Sequence, residues 1–203
     1  PDPNTLSVAD ARGSIGGSAA LSVSMTNEES IKGIQFDLSL PEGVTVASDS
    51  DDELMFTLTD RAHSSHSVSA RLLANGDYRV VVSSLSAKTF KETEGVIMNV
   101  TLSVEEDMAA GEYEVKVFDI VLNTADNVTI EPADVTATLT VSDIDPGDAN
   151  GDGKVNVTDV GMAIDHILEN TPDGFVESAV DMNGDGKVNV TDVGLIIDLI
   201  LSD

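Results

Sequence analysis

Two stretches of the chain carry oxygen-bearing side chains at a spacing that suits a hard cation. The first holds Asp148, Asn150, Asp152, Asn156 and Asp159, with Gly153 inside it. The second holds Asp181, Asn183, Asp185, Asn189 and Asp192, with Gly186 inside it. Oxygens fall on alternate residues, a glycine takes the sharp turn, and an acid closes the loop at the twelfth position. Calcium takes roughly six to eight oxygens at flexible geometry, and such a loop wraps it without strain. The carbonyls of Lys154 and Lys187 are expected as backbone ligands, their side chains pointing to water, while Asn156 and Asn189 are placed to act through a water. Each loop brings three Asp ligands, formally −3 against the ion's +2, so an empty loop repels itself. Two calcium ions are the expected cofactors.

The two loops belong to a repeat. Residues 148–168 and 181–201 are one 21-residue unit offset by 33, differing only at Ala149/Met182, Met162/Leu195, Ala163/Ile196 and His166/Leu199. The loop spacing is that of an EF-hand, with Asp159 and Asp192 where the longer Glu is common. A short amphipathic helix is expected after each loop, with Thr158-Asp159 and Thr191-Asp192 at its start, where carboxylates suit exposed N–H groups. Val160, Ile164, Ile167 and Leu168 would form one apolar face, matched by Val193, Ile197, Ile200 and Leu201. Met162, Ala163 and His166 would lie on a mixed outer face. Their counterparts Leu195, Ile196 and Leu199 make the second helix apolar nearly all round, so that helix is expected either to dock on something or to pair with the first. No helix precedes the first loop, so each unit reads as half an EF-hand.

Ahead of the repeat the chain reads as strands. Period-two alternation runs through Leu21-Val23-Met25, Ile34-Phe36-Leu38-Leu40 and Val96-Met98-Val100-Leu102-Val104. It recurs in Tyr113-Val115-Val117 and Val135-Ala137-Leu139-Val141. Alternation of this kind marks strands with one buried and one wet face. Asn75-Gly76-Asp77 between two such runs is a hairpin signal, because both Asn and Gly tolerate positive φ. Eight or nine short strands and no helix predict a jelly-roll or β-sandwich domain over residues 1–142. A linker at 143–147 and the two-repeat calcium-loop module at 148–203 follow, so the fold class is mainly β with a small α module.

Composition narrows the function. Ten basic residues against 37 acidic ones among 203 leave a formal charge of −27, which argues against nucleic acid, since phosphate binding needs a basic stripe. From Asp145 onward there are 13 acidic and two basic residues, so −11 of that charge sits in the last 59 positions. No apolar run is long enough to span a membrane. The absence of cysteine rules out disulfides, thiolate metal sites and cysteine nucleophiles. The first residue is Pro1 rather than Met, so the chain is expected to be a processed piece whose signal has been removed.

Catalysis is not expected. His63 and His66 flank Ser64-Ser65 near Asp60, but the segment reads as a polar turn, and a nucleophilic triad needs geometry rather than nearness in sequence. The runs Asp49-Asp51-Asp52-Glu53 and Glu105-Glu106-Asp107 read as solvated charge. With no Trp and two Tyr, Tyr78 and Tyr113, the flat aromatic surface that grips sugar rings is scarce.

The unit from Asp148 to Asp159, followed by its helix and repeated once, resembles a type I dockerin, and the resemblance covers residues 145–203. That family comprises calcium-dependent plugs for cohesin modules, which link surface or secreted polysaccharide-degrading components into assemblies. It implies a partner-binding surface at Val157, Thr158, Ile164 and Asp165 and at Val190 and Thr191, with Ile197-Asp198 further on. The composition of the second helix adds Leu195, Ile196 and Leu199. The cellulosomal pattern has Ser-Thr at the first pair and basic residues on the helix, where this chain has Val-Thr and Asp. In the first domain, the stretch from Ile31 to Val44, with its phrase Gly33-Ile34-Gln35-Phe36-Asp37-Leu38, resembles the early strands of a cohesin, a nine-stranded jelly roll. Together these resemblances imply a non-catalytic adhesion or assembly protein, extracellular or on a bacterial surface. Its dockerin would meet a cohesin module, its own or a foreign one. A carbohydrate-binding sandwich tethered by a dockerin, with weak sugar contact, is the alternative.

Overall fold

The computed structural model describes residues 3–202. Pro1, Asp2 and Asp203, the outer ends of the two expected domains, lie outside the described residues. The first part is all strand: β1 (Asn4–Val8), β2 (Ala11–Ser14), β3 (Ser18–Asn27), β4 (Ile31–Ser39), β5 (Val44–Val46) and β6 (Phe56–Leu58). It continues with β7 (His66–Leu72), β8 (Tyr78–Ser84), β9 (Val96–Val104), β10 (Gly111–Thr124), β11 (Thr129–Ile130) and β12 (Val135–Ser142). Twelve strands replace the expected eight or nine. The additions include β2, β5, β6 and β11, whose two to four residues are too few to show an alternation.

The strands bond in the order β5-β9-β3-β2-β12-β10-β4-β8-β7, with β1 on β3, β6 on β9 and β11 on β10. The link between the two halves is β2, antiparallel to β3 at Gly13↔Ala19 and parallel to β12 from Ala11↔Leu139 to Ser14↔Ser142. Gly13 permits that link: a Cβ there would stand 2.9 Å from the Cβ of Ala19. The sheet curls around one core in which Leu21, Val23, Phe36, Leu38, Leu102, Val117 and Leu139 are fully buried. Burial of alternate residues is the main force holding such a sheet closed.

Two bulges shift the alternation. Val96 is expected inside but is 37% exposed, while Ile97 is fully buried. The register moves from Val23↔Met98 to Ser24↔Val96, so Ile97 is the extra residue of a bulge. In β10 the register shifts between Phe118 and Val121, and Asp119 takes a φ of 49°. The inward face therefore passes from Val115 and Val117 to Ile120 and Leu122. The expected hairpin joins β7 to β8 through residues 73–77, with Gly76 at φ 93° and the Leu73 N–H donating to the Asp77 carbonyl at 2.8 Å.

The polar turn before β7 is local structure. His63 Nδ1 lies 3.0 Å from Ser65 Oγ, which in turn meets Ser84 Oγ at 2.7 Å and Ser86 Oγ at 2.8 Å. His66 is buried, its ring 4.5 Å from that of Phe90, and burial lowers its pKa below the ordinary histidine value. Asp49 caps its own acidic turn, its Oδ1 accepting from the N–H groups of Asp51 and Glu53.

Past β12, residues 143–147 lead into the repeat, which forms α1 (Val157–Ile167), α2 (Glu177–Val180) and α3 (Val190–Ser202). α2, a single turn before the second loop, was not expected.

Candidate functional site

The two loops fold as near copies. Asp148 is 1% exposed and its oxygens accept from the N–H groups of Gly151 and Gly153, both at 2.8 Å, and from Asp152 at 3.2 Å. Asp181 does the same with Asp185 at 3.2 Å and Gly186 at 3.0 Å. Gly153 and Gly186 adopt φ of 79° and 78°, the left-handed turn that brings the chain back over the first carboxylate. The closing acids are fully buried. Asp159 accepts from Ala149 at 2.9 Å on one oxygen and from Asn156 at 2.9 Å on the other; Asp192 accepts from Met182 at 3.0 Å and Asn189 at 2.9 Å.

Asn156 is the N-cap of α1, its side-chain oxygen accepting from the Thr158 N–H at 2.9 Å while Asp159 reaches back to the Asn156 N–H. This reciprocal capping satisfies two orphan helix donors. Asn189, Thr191 and Asp192 repeat it at α3. The capping role of these asparagines was not read from the sequence, although Asn three residues before an acid is the signal for it. With their oxygens on Thr158 and Thr191, they suit a ligand reached through water. Asn150, Asp152, Asn183 and Asp185 hold the turns, each accepting from an N–H two residues on. Lys154 and Lys187 point outward, exposed as expected.

The donor set is all oxygen, and each loop buries two carboxylates. Among the described residues, no group of three or more His, Asp or Glu stands ready-made as a metal site. The loops instead mix carboxylate with amide and carbonyl oxygens, a set that fits calcium in chemistry and in order.

The helix faces differ from expectation. Ala163 and Ile196, assigned to the outer faces, are fully buried with Ala149 and Val180 in a small second core. Ile164 and Leu168, expected inward, are 43% and 70% exposed, and Ile197 and Leu201 are 41% and 78% exposed. Both helices carry apolar residues around most of their circumference, and packing between the repeats decided which side turned in. Ile196 is thus a core residue, not a partner surface. Val157 and Val190 are 77% and 76% exposed, and Thr158, Asp165 and Thr191 are also exposed. His166 stacks on Phe175 at 4.5 Å, tying α1 to the segment between the repeats.

Ala163 and Ile196 occupy equivalent positions of the two units, small against large within one core. Ala163→Ile is expected to overfill it and cost about 2 kcal/mol. Adding Ile196→Ala should return most of that loss in urea unfolding followed by helical circular dichroism. If the double variant is as unstable as the two single losses summed, the positions do not share a space.

Leu195 and Leu199 line a cleft of about 1060 Å³ whose other wall is Arg12, Ser14 and Ser18–Ala20 of the sandwich. The second helix therefore pairs with α1 through Ile196, while Leu195 and Leu199, 38% and 36% exposed, line the open cleft toward the sandwich without being docked on it. At the rim, Arg12 donates to the Ser178 carbonyl at 3.1 Å and to Asp181 Oδ2 at 3.3 Å. Sequence reading missed Arg12; a lone arginine on a four-residue strand carries no signal.

The cohesin domain model matches residues 4–142, and the model for the dockerin type I domain matches residues 146–201. The chain belongs to the cohesin family. Behind its cohesin domain it carries a type I dockerin domain. Solved structures share the sandwich fold at low identity. A cohesin in a type I cohesin–dockerin complex from Clostridium thermocellum is 14% identical, with a TM-score of 0.59, over 70% of this chain and 100% of that one. The cohesin module of a family 33 glycoside hydrolase from Clostridium perfringens is 11% identical, TM-score 0.56, over 68% and 96%. A non-cellulosomal cohesin from the archaeon Archaeoglobus fulgidus is 14% identical, TM-score 0.54, over 68% and 91%. No curated protein matches significantly. The cohesin domain's aromatic residues are turned inward or half-buried: Phe36, Phe56, Tyr78 and Phe90 are buried, and Tyr113 and Phe118 are partly covered. Among the described residues no helix is long and apolar enough to cross a membrane.

Proposed function

We propose that this chain is a non-catalytic assembly protein whose dockerin, folded around two calcium ions, plugs a cohesin-type module outside the cell or at its surface. The chain would divide into residues 1–142 and 148–203 around a linker at 143–147. Asp148, Asn150, Asp152, Lys154, Asn156 and Asp159 would hold the first ion. Asp181, Asn183, Asp185, Lys187, Asn189 and Asp192 would hold the second. Val157, Thr158, Ile164, Asp165, Val190 and Thr191 would meet the partner, with Leu195 and Leu199 beside them. The observation that carries this reading is the presence of both family domains in one chain. Cohesin and dockerin domains are assembly modules rather than catalytic ones. When bound, calcium would supply positive charge between buried carboxylates. The chain's own residues cap the helices, close the loops and present the exposed valines.

The partner can be this chain's own sandwich, that of a second copy, or a foreign cohesin. Head-to-tail pairing between copies would build open chains unless it closes into a ring. The test titrates the full chain with itself and with purified cohesin modules by calorimetry and sedimentation, in calcium and then in chelator. Saturable association that chelator abolishes is expected. Absence of association with any of them in calcium would count against the reading.

A further inference from the structure

The two calcium loops have identical ligand residues, so any difference in their affinity must come from what surrounds them. One difference stands out. Asp148 meets backbone N–H groups alone, whereas Asp181 also meets the guanidinium of Arg12, 166 residues and more away along the chain from its two acceptors. Arg12 Nη2 lies 3.3 Å from Asp181 Oδ2, the same oxygen that accepts from Gly186 N–H. Its Nη1 holds the Ser178 carbonyl in α2 at 3.1 Å. The guanidinium also lies against the loop backbone, since a Cβ on Gly184 would stand 3.5 Å from Arg12 Nε. In the first loop the equivalent Gly151 N–H bonds Asp148; among the described bonds Gly184 makes no such contact. Arg12 is the basic residue of a crevice between β2 and the second loop that Asp10 and Glu112 also line.

From this geometry we propose that Arg12 of the cohesin domain is the determinant that sets the second calcium site apart from the first, competing with the ion for the carboxylate of Asp181. The inference rests on the calcium reading of the loops. A guanidinium and a metal ion on one carboxylate repel each other, and the pair is close enough for salt to screen it only in part. The second loop is therefore the weaker site in the intact chain. Coupling between two binding events is reciprocal, so the ion loosens the contact between the domains by the factor that Arg12 weakens the ion. Calcium that fills the first loop but not the second favours the latched form, and filling the second loop weakens the latch between the dockerin's second repeat and its own sandwich. Asp10 and Glu112 act the same way whether or not Arg12 is present, so they do not confound a comparison at position 12.

The test uses the full chain and reads each site separately. The Gly153 and Gly186 amides donate to the first carboxylate of their own loop, at 2.8 and 3.0 Å, and report its occupancy in an NMR titration with buffered free calcium. In Arg12→Gln the Gly186 midpoint is expected to fall to lower calcium by on the order of tenfold, while the Gly153 midpoint stays put. Arg12→Lys should keep most of the wild-type value, because it keeps the charge. An unmoved Gly186 midpoint, an equal shift of both, or a shift to higher calcium overturns the proposal and leaves the calcium reading standing. If neither amide responds to calcium in the wild-type chain, the calcium reading itself falls, and this inference with it.

Discussion

In excess chelator, residues 148–202 are expected to lose their amide protection while the sandwich keeps its own. The reason lies in how little else holds the second module together. Its core consists, among the described residues, of Ala149, Ala163, Val180 and Ile196, and two of these four are alanines. Around that core Asp148, Asp159, Asp181 and Asp192 are 0–7% exposed and receive mainly backbone N–H groups, with Arg12 on Asp181 the one opposite charge paired with them among the described residues. A buried carboxylate without a positive partner is costly, and a loop with three carboxylates, two of them buried, works against its own closure. An ion bound only by the folded loop converts binding energy into folding energy. At free calcium a hundredfold above its dissociation constant each ion adds about 2.7 kcal/mol, and two together decide whether so small a module folds. The acidic runs of the sandwich, at 49–53 and 105–107, are exposed rather than buried, and the domain buries Phe36, Leu38, Leu102 and Leu139 completely, so chelator should leave it untouched. Hydrogen exchange read by peptide distinguishes the two parts in one experiment. Asp148→Ala with Asp181→Ala should reproduce the chelated pattern in calcium. Persistent protection across 157–167 and 190–202 in chelator would show that the helices fold without metal.

The loops were legible because their chemistry is local. A calcium ladder is written in consecutive residues, and a second copy at a fixed offset repeats it. The strand runs were legible for the same reason, since alternation needs only near neighbours. What escaped was set by residues far apart in the chain. Ile97 and Asp119 shift the face of their strands through bulges that depend on the partner strand's register. Ala163 and Ile196 turned inward because each repeat packs on the other, and a helix with apolar residues on several sides does not declare which side that will be. Arg12 meets Asp181 only because β2 sits between β3 and β12. The Asp37 of the cohesin-like phrase was expected in a strand, yet nothing nearby foretold that Arg79 would clamp both its oxygens at 2.7 Å from the neighbouring strand.

Arg61→Met is expected to destabilise the sandwich by about 4 kcal/mol, far more than an ordinary surface arginine. Arg61 is 6% exposed, and all five of its N–H donors are used. Nε donates to the Lys91 carbonyl at 3.0 Å, Nη1 to the Met25 and Gly95 carbonyls at 2.7 and 2.9 Å, and Nη2 to Asn27 Oδ1 and the Glu92 carbonyl at 2.9 and 3.1 Å. The side chain thereby pins the end of β3 to the segment 91–95 that leads into β9. Burial pulls its pKa down and the fields of Glu92 and Glu94 push it back up. A guanidinium stays charged in proteins, so these are charge-assisted bonds, each worth more than a neutral one. Methionine keeps the apolar stem but takes this donor from the Met25 carbonyl and Asn27 Oδ1 beside the core, while the Gly95 carbonyl still accepts from the Met25 N–H at 3.0 Å, and the buried acceptors that lose the guanidinium carry most of the cost. Arg61→Lys should recover only part of it, because three donors on a tetrahedral nitrogen cannot match a planar fork with five. Urea unfolding in saturating calcium, followed on amides of β3 and β9, measures the loss apart from any change in the dockerin. A loss of under about 1 kcal/mol would mean that water replaces the guanidinium without strain and that the β3–β9 pair holds by its ladder alone.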